Sequence, residues 1–467
     1  MDTSTPVDLR FRTVLARLQA TGRIRRVDRK LSVDDEVAAV LKHHDDGDAL
    51  VCTAVTGHSV PVLGNLLASE ANCEAAFGTD RHGIRELVAR AMSDSIAPEI
   101  VPTGPARDHV FTSTLDLGSR MPVLRHAPGD AGRFVTAGVV IARHPVTGVH
   151  NASYHRLQLV GDDRVAIKLD LGRHLRAAFE SAQSLGRPLP IAVALGTDIS
   201  LLYTAATMGS QMPESRDELA AAGALQGSPL RMLTGLTQDV LVPADAEFVL
   251  EGAISATETV PEGPFGEFVG YQSDAGPAPV VQVTALSHRR NPVYHAINGA
   301  GRETVMLRKY VLETSVLTVL RDTAPMVVDV NMTAGGLHRF HLNLAVHKDG
   351  PQHDGFEVNA ALAAFGALKD LVRVVVVDDD IDIHDERDVE YAIATRCDPA
   401  RDLVVVPRGR GHEYLRLSDR GIVSKWLVNA TVPYADRERF RRVPFAPSTV
   451  STADLLPCDL FDAGPDT

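Results

Sequence analysis

Three glutamates, Glu258, Glu262 and Glu267, lie in one short segment that also contains two prolines and two glycines. Because proline and glycine fix the backbone of turns, the segment predicts a loop that holds carboxylates close together. Like charges at short range raise the pKa of at least one carboxyl group, and a proton donor that works near neutral pH needs such a shift. The residues alone favour a general acid and a turn with solvated acids about equally.

The strand-like run 149–160 carries polar side chains at successive positions. Alternation along a strand places Asn151, Ser153 and His155 on one face, and Tyr154 and Arg156 on the other. The run therefore predicts a strand with one face rich in hydrogen-bonding groups.

Two further polar residues follow Asn151 along the chain. His174 lies at the start of a predicted helix, and Glu218 lies in a later predicted helix that begins with acidic residues. An amide oxygen, an imidazole and a carboxylate suit Mn²⁺ or Mg²⁺ with open positions for phosphate oxygens. Spacing alone favours separate structural roles for the three residues, but the alternative of a shared metal site stays open.

Two other patterns carry weaker signals. Gly299 to Thr304 is similar to a dinucleotide-binding fingerprint, but threonine replaces the third glycine and the preceding sequence is barrel-like. The acidic run Asp378 to Asp385 lacks an EF-hand register with both glycine at position six and glutamate at position twelve. We therefore expect a strand end there, followed by an N-capped helix from Asp385 to Ala394.

Length and composition limit the class of protein. The 467 residues predict about three domains at roughly 150 residues each. A formal charge of -13 disfavours binding to nucleic-acid phosphates. Four cysteines without a CxxC pair predict reduced thiols. The sequence shows neither a secretory signal nor an apolar run that would span a membrane, so we expect a cytoplasmic protein without a membrane partner.

The elements that must position the polar residues change in kind along the chain. Helices and strands mix in residues 1–108, hairpin-like strands dominate 109–310, and helices and strands return in 311–467. The pattern predicts an α+β multidomain protein with an N-terminal α/β domain, a β-rich central domain and a C-terminal α/β domain.

Five motifs then follow one another in a fixed order. They are NxSxxR at 151–156, HL at 174–175, DELAxxGALxGSPL at 217–230, LVPADAEFVLEG at 241–252 and ETVPEGPFGEFVGY at 258–271. This ordered set resembles the UbiD family of prenylated-FMN-dependent decarboxylases, and the likeness extends from about residue 110 to Pro433. It implies a central split β-barrel that binds the flavin and a C-terminal domain that mediates assembly.

The resemblance also implies site residues. Asn151, His174 and Glu218 would hold Mn²⁺ or Mg²⁺ beside the cofactor phosphate, with K⁺ as a second ion. The residues that would contact prenylated FMN are Asn151, Ser153, Tyr154, His155, Arg156, Arg173, His174, Glu218 and Lys425, the last at the phosphate.

The catalytic trio implied by the resemblance is Arg156, Glu262 and Glu267. Loss of CO₂ from an sp² carbon leaves a carbanion that needs an electron sink, which no side chain supplies and a cofactor does. A planar guanidinium at Arg156 can orient the substrate carboxylate and pair with Glu262. Glu267 is then the expected proton donor.

The segment 294–307 borders the substrate pocket in relatives. It offers Asn298, Thr304, Met306 and Leu307, and we expect Arg302 and Arg308 on the exposed helix surface rather than at a second carboxylate clamp. Mostly small and apolar lining favours a flat aromatic or heteroaromatic acid over a dicarboxylate.

The expected activity is a reversible, non-oxidative decarboxylation of an aromatic, heteroaromatic or α,β-unsaturated carboxylic acid. The alternatives are a flavin-binding oxidoreductase on a similar barrel and a catalytically silent cofactor carrier, which would lack one of the catalytic trio. By resemblance, a separate flavin prenyltransferase supplies the cofactor, and the chain forms a homodimer or homohexamer.

Overall fold

The computed structural model describes residues 6–170, 172–207, 212–447, 449–451 and 454. The N-terminal part contains α1 (Phe11–Ala20), β1 (Ile24–Val27), α2 (Glu36–His43), β2 (Ala49–Cys52), β3 (Val62–Gly64), α3 (Glu70–Phe77) and α4 (Arg81–Ser93). The central part contains β4 (Glu99–Ile100), β5 (His109–Phe111), α5 (Leu117–Arg120), β6 (Phe134–Val135), β7 (Val139–Arg143), β8 (His150–Tyr154), β9 (Leu157–Leu159), β10 (Arg164–Ile167), α6 (His174–Ser184), β11 (Leu189–Leu195), α7 (Ile199–Ala205), α8 (Glu218–Gln226), β12 (Arg231–Thr234), β13 (Leu241–Pro243), β14 (Phe248–Glu262), β15 (Gly276–His288) and β16 (Tyr294–His295).

The C-terminal part contains α9 (Arg302–Thr323), β17 (Val327–Met332), β18 (His341–Val346), α10 (Phe356–Ala367), β19 (Arg373–Asp378), α11 (Glu386–Arg396), α12 (Pro399–Asp402), β20 (Leu403–Arg410) and β21 (Ile422–Ala430). Single 3₁₀ segments lie at Pro105–Arg107, Pro351–His353 and Tyr434–Phe440. The expected α+β architecture is confirmed.

A nine-stranded sheet forms the centre, in the order β6-β9-β10-β15-β14-β11-β7-β8, with β5 beside β15. Its paired strands are antiparallel, as the hairpin-like sequence predicts. Val139 and Ile141 face one hydrophobic core and Val140 the other, so both faces of the sheet are covered. The strands that carry the polar residues of the sequence analysis are therefore packed between two hydrophobic cores.

The C-terminal sheet has the order β17-β18-β19-β21-β20. In β19, Val374 and Val376 belong to one core, and Val375 and Val377 to another. This burial on both faces explains the continuous apolar run of the strand.

Two predicted boundaries differ from the observed elements. The run 149–160 is two strands, β8 and β9, which break at His155 and Arg156. The predicted limit between the central and C-terminal domains, at residues 310 and 311, falls inside the continuous helix α9.

The acidic run after β19 has the structural role expected of it. The carboxylate of Asp385 accepts a hydrogen bond from Arg387 N and caps α11. Asp378 and Asp380 both form ion pairs with Arg396. The run therefore serves to end a strand and begin a helix.

The described cysteines, Cys52, Cys73 and Cys397, are free thiols, whereas Cys458 lies outside the described residues. Among the described helices, none combines the length and apolar character needed to cross a bilayer.

Candidate active site

The central sheet closes on itself at the break between β8 and β9. These strands lie near opposite ends of the sheet order, yet only His155 and Arg156 separate them in the chain. Two residues span at most about 10 Å, so the sheet must curl until its ends nearly meet. Arg156 therefore projects from the seam of a split barrel.

Arg156 makes the central polar contacts of the site. Its Nε and Nη2 donate to Glu262 Oε1 and Oε2 at 2.6 and 2.9 Å, a two-pronged ion pair, and its Nη1 donates to Glu267 Oε1. Burial opposes the charge of Arg156, but the hydrogen bond to Glu262 and the charges of both glutamates raise its pKa. The structure thus brings together the three residues of the expected catalytic trio.

The segment that carries the two glutamates is part strand and part turn, whereas the sequence predicted a loop. β14 continues to Glu262, which pairs with Gly276 of β15. The turn then begins at Gly263, whose φ of +79° favours glycine. Glu262 is fixed by the strand and Glu267 by the turn, where its amide donates to Tyr271 O at 2.9 Å.

At the carboxyl group of Glu267, burial outweighs the effect of the Arg156 charge. Burial raises its pKa to about 7, the charge of Arg156 lowers it, and the nearby carboxylates of Asp170 and Glu262 raise it. At neutral pH this carboxyl group can both hold and release a proton. The raised pKa that the sequence suggested is present at Glu267, but its main cause is burial and not the crowding of carboxylates within the segment.

A second cluster of polar side chains, which contains the three expected metal ligands, lies on the other side of the seam. Asn151 Nδ2 and His174 Nδ1 lie 3.0 and 3.1 Å from the same atom, Glu218 Oε1. The side chain of Asp217 caps α8 by accepting from Leu219 N and Ala220 N, which places Glu218 in the first turn. The three expected metal ligands therefore converge.

The donor set of this trio fits a divalent cation. Glu218 is 3% exposed, burial raises its pKa, and its described neighbours include no lysine or arginine in an ion pair. Since a buried carboxylate needs compensation by a partner or a cation, a metal ion would supply it. Within the described residues, no group of three or more His, Cys, Asp and Glu could hold a metal ion, so a site built on His174 and Glu218 would need a ligand of another type, such as the amide of Asn151.

Two adjoining cavities connect the catalytic trio with the three expected metal ligands, Asn151, His174 and Glu218. The catalytic cleft is lined by residues that include Arg156 and Glu267, and the metal-side cavity by residues that include Asn151, His174 and Glu218. Both cavities share Tyr154, His155, Asp170, Arg173 and Arg308.

Several of the expected cofactor contacts have matching geometry. His155 Nε2 lies 3.1 Å from Ser153 Oγ, which donates to Asn151 Oδ1 at 2.9 Å, so these three side chains form the predicted polar face. Tyr154 Oη is buried without a hydrogen-bond partner in the described part of the chain, and its residue lines both cavities. An unpaired buried hydroxyl beside two cavities fits a bound ligand with polar atoms.

Lys425 is not brought to these cavities. Its Nζ donates to the carbonyl oxygens of Lys369 and Leu371 at 2.7 and 2.6 Å, inside the C-terminal part, and the residue lines neither cavity. In this conformation, backbone acceptors rather than a phosphate satisfy the ammonium group.

The substrate-side expectations are met in part. Thr304 and Leu307 line the catalytic cleft, whereas Met306 lies in the core and Asn298 bonds to His126 and Ala38. Arg308 was expected on the exposed helix surface, but it is partly buried and lines both cavities, so that expectation was wrong. Arg302 is exposed, as expected.

Sequence reasoning missed the wall that the C-terminal part contributes. Arg339, His412 and Tyr414 line the cleft, and Tyr414 Oη donates to Asp170 Oδ1 at 3.1 Å. Asp170 lies four residues before His174 and could have been noticed for that proximity. The others lie more than 60 residues beyond the recognised catalytic segment, and no local pattern marks them.

Models of the N-terminal, Rift-related and C-terminal domains of 3-octaprenyl-4-hydroxybenzoate carboxy-lyase, the UbiD family, match residues 15–92, 99–302 and 305–430. The structure is similar to the UbiD-class enzyme HmfF from Pelotomaculum thermopropionicum in complex with FMN, at a TM-score of 0.91 and 37% identity over 96% of this chain and 100% of that chain. An evolved dimeric form of HmfF in complex with prFMN gives a TM-score of 0.87 at 36% identity, with 96% and 100% covered.

Two curated relatives have named activities. Anhydromevalonate phosphate decarboxylase of Methanothermobacter thermautotrophicus is 33% identical over 89% of this chain and 96% of its own. Gallate decarboxylase of Lactiplantibacillus plantarum is 30% identical over 86% of this chain and 87% of its own. The likeness thus extends over nearly the whole chain, and the named activities are decarboxylations.

The turn that carries Glu267 should be sensitive to one added methyl group. A Cβ at Gly299 would overlap the carbonyl oxygen of Gly266 and the ring of Phe265, so Gly299→Ala must displace this turn. We expect a loss of about 1–3 kcal/mol in the free energy of unfolding and a lower turnover rate. The control is Gly366→Ala, whose added Cβ meets open space near the end of α10 and should stabilise the protein by up to about 1 kcal/mol. Equal turnover in the two variants would contradict the role given to Gly299.

If the trio holds a divalent ion, Glu218→Gln should lower the divalent-metal content of the protein, because the substitution keeps the shape of the side chain but removes its charge. The measurement is the metal content of purified protein by mass spectrometry, with circular dichroism as a check of folding. Glu180→Gln is the control, since that carboxylate is exposed on α6 and pairs with Arg176. Metal content that stays at the wild-type level in Glu218→Gln would remove Glu218 from the site.

Proposed function

The chain belongs to the UbiD family of carboxy-lyases, and from this membership we propose that it is a reversible, non-oxidative decarboxylase that works with prenylated FMN. The observation that carries the proposal is the contact of Arg156 with both Glu262 and Glu267 at the edge of a cleft. The proposed substrate is an aromatic, heteroaromatic or α,β-unsaturated carboxylic acid, and a flat aromatic or heteroaromatic acid is favoured.

The lining of the cleft supports a flat, largely apolar substrate. Phe265, Ile297, Val305, Leu307 and Phe268 contribute apolar surface to it. An aromatic acid can bury its ring against these side chains while its carboxylate meets a guanidinium. The named activity of the gallate decarboxylase relative agrees with an aromatic acid.

Prenylated FMN, when bound, supplies the electron sink for the carbon that loses CO₂. Glu262 holds the guanidinium of Arg156 in one plane through two hydrogen bonds. Arg156 can then orient the substrate carboxylate, for which a planar fork with fixed donors is suited. The bond between the substrate carboxylate and the carbon that bears it breaks, and CO₂ leaves.

Glu267 completes the reaction by transferring its proton to the same carbon, so that a C–H bond replaces the C–C bond and no net oxidation occurs. The carboxylate left on Glu267 regains a proton from solvent. In the reverse direction, the same carboxylate removes the proton, and CO₂ is added.

The metal-side cavity is proposed to hold the phosphate end of the cofactor. Asn151, His174 and Glu218 would bind Mn²⁺ or Mg²⁺, and K⁺ would be a second ion. Ser153, Tyr154, His155 and Arg173 would contact the cofactor from the walls that they line or adjoin.

The cofactor supplier and the assembly are also proposals. We expect a flavin prenyltransferase to make the cofactor, the chain to form a homodimer or homohexamer, and the protein to act in the cytoplasm. The proposals about the metal ion, the cofactor supplier and the assembly are independent of the contact of Arg156 with Glu262 and Glu267.

A flavin-binding oxidoreductase is not favoured. Gly299 packs against Gly266 and Phe265, and Gly301 against Asn298, so these glycines serve close packing and not a dinucleotide loop. A silent carrier is not favoured either, because Arg156, Glu262 and Glu267 are present and in contact.

The direct test is co-expression of the chain with a flavin prenyltransferase, followed by the mass and absorbance spectrum of the bound cofactor and assays on a panel of acids. We expect CO₂ release from at least one acid and deuterium exchange into its decarboxylated product. Loaded enzyme that does neither across a broad panel would contradict the proposed function.

Glu267→Gln should abolish turnover, because an amide cannot deliver the proton, while cofactor binding stays intact. The matched control is Glu258→Gln in the same strand-turn segment, an exposed carboxylate that pairs with Arg164. Turnover is measured by product formation, and cofactor content by absorbance. Wild-type turnover in Glu267→Gln would mean that another group donates the proton.

The pH dependence follows from burial, which raises the pKa of Glu267 to about 7. The acid form is needed for decarboxylation, so kcat/KM should fall as pH rises through about 7. The reverse exchange of deuterium into product needs the carboxylate and should rise over the same interval. A profile in which both directions change in the same sense would argue against Glu267 as the shared group.

A further inference from the structure

The guanidinium group of Arg156 has few donors left for a substrate. A guanidinium carries five N–H bonds. Nε and Nη2 donate to Glu262, Nη2 also donates to Ser273 Oγ at 3.2 Å, and Nη1 donates to Glu267. One N–H of Nη1 remains, whereas a substrate carboxylate presents two oxygens. In this arrangement, a second donor is needed to bind both oxygens.

Lys168 follows β10 directly and lies opposite Arg156. The register of β9 and β10 pairs Leu157 with Ile167, and Lys168 N donates to Arg156 O at 3.4 Å, so the same register continues to Arg156 and Lys168. Side chains directly opposite each other in an antiparallel pair share a face, with Cβ atoms about 4.5–5.5 Å apart. Both residues line the catalytic cleft, as a shared face requires.

Lys168 enters the cleft on the side expected to hold the substrate. It lines the catalytic cleft and an outer cavity, whose walls include Tyr271 and Glu413, but it does not line the metal-side cavity. Arg173, by contrast, lines the metal-side cavity as well. Lys168 is therefore a cation close to Arg156 and separate from the proposed site of the cofactor phosphate.

The ammonium group of Lys168 is available to a ligand. Within the described part of the chain, it makes neither a hydrogen bond nor an ion pair, and the nearby Asp170 accepts a hydrogen bond from Tyr414 instead. The ammonium group is close enough to act on Glu267: burial is the largest influence on the pKa of Glu267 and raises it to about 7, and the charge of Lys168 is one of those that lower it.

Charge balance favours a role in carboxylate binding. When Glu267 holds the proton needed for decarboxylation, Arg156 carries one positive charge, while Glu262 and a bound substrate carboxylate carry one negative charge each. Lys168 brings the sum of these charges to zero. Carboxylates in a cleft that excludes water are costly without such compensation.

We propose that Lys168 binds the substrate carboxylate together with Arg156. The inference rests on the proposed function, because it concerns the same substrate and the same cleft. Lys168 donates to one carboxylate oxygen, and the remaining N–H of Arg156 donates to the other. After CO₂ has left, the ammonium group stays near Glu267, where its charge stabilises the carboxylate that proton transfer leaves behind.

The test compares two ligands that differ in one group. Full-length protein loaded with prenylated FMN is titrated with benzoate and with benzamide, and Kd is measured from the change in cofactor absorbance. Wild-type protein should prefer benzoate. Lys168→Met should weaken benzoate binding about tenfold or more, as expected for the loss of a hydrogen bond between charged groups, and should affect benzamide binding much less. Because no partner is left unpaired, its thermal unfolding should match that of wild-type protein.

Two matched variants complete the design. Lys168→Arg keeps a cationic donor and should retain the preference for benzoate. Lys369→Met removes an exposed lysine that lines the outer cavity but not the catalytic cleft, and it should also retain the preference. An equal loss of preference in Lys369→Met and Lys168→Met would indicate a general effect of positive charge at the entrance and overturn the inference.

The pH profile supplies a readout that a purely structural role would not change. The charged and titratable groups around Glu267 are Arg156, Lys168, Asp170, Glu262, Arg339, His412 and Tyr414. Loss of the positive charge in Lys168→Met should raise the pKa of Glu267. Since kcat/KM needs the acid form, its fall with rising pH should move to higher pH, measured with the acid that the enzyme turns over fastest. A fall at the wild-type pH would place Lys168 too far from Glu267 and overturn the inference.

The remaining outcomes separate this inference from the proposed function. A preference for benzoate that persists in Lys168→Met overturns the inference and leaves the proposed function standing. Equal weakening of both ligands also overturns it, because Lys168 would then shape the cleft and not bind the carboxylate. Wild-type protein that releases CO₂ from an acid of the panel but binds benzoate no better than benzamide would overturn the inference alone. Protein that takes up no prenylated FMN would overturn both.

Discussion

Closure of the central sheet is the constraint on which the site depends. Because two residues connect strands near opposite ends of the sheet, the barrel cannot open there without breaking the strand pairs on both sides. Arg156 lies in this link, so its backbone is fixed by the barrel and its side chain by Glu262 at the end of β14. The long pairing of β14 with β15 carries Glu262 to that place. The paired strands of the central domain therefore position the group expected to hold the substrate.

The proton on Glu267 depends on elements from both the central and the C-terminal part of the chain. Its burial comes from the turn after β14, while Asp170 follows β10 and is held by Tyr414 of the C-terminal part. The ring of Phe268, next to Glu267, packs with Phe340, His412 and Tyr414. Contact between the central and C-terminal parts thus excludes water beside the carboxyl group. Movement that separated these rings would hydrate Glu267 and lower its pKa.

Local patterns predicted much of the fold but not its closure. Hairpin spacing and apolar runs correctly indicated the central β-rich body and the buried strand β19, because these signals depend on neighbouring residues. The run 149–160 was predicted as one strand, since nothing local shows that its halves pair with opposite ends of a sheet. Ordered motifs identified Arg156, Glu262 and Glu267. Arg308 was misplaced because α9 is buried around most of its circumference near this residue, whereas an exposed helix surface was expected.

Cationic side chains in the cleft are costly to bury, and the fold limits that cost at each position by a different means. Asp370 compensates Arg339 from behind the lining, and two glutamates compensate Arg156. Such partners orient the guanidinium groups before a ligand arrives, which reduces the reorganisation needed during binding and reaction.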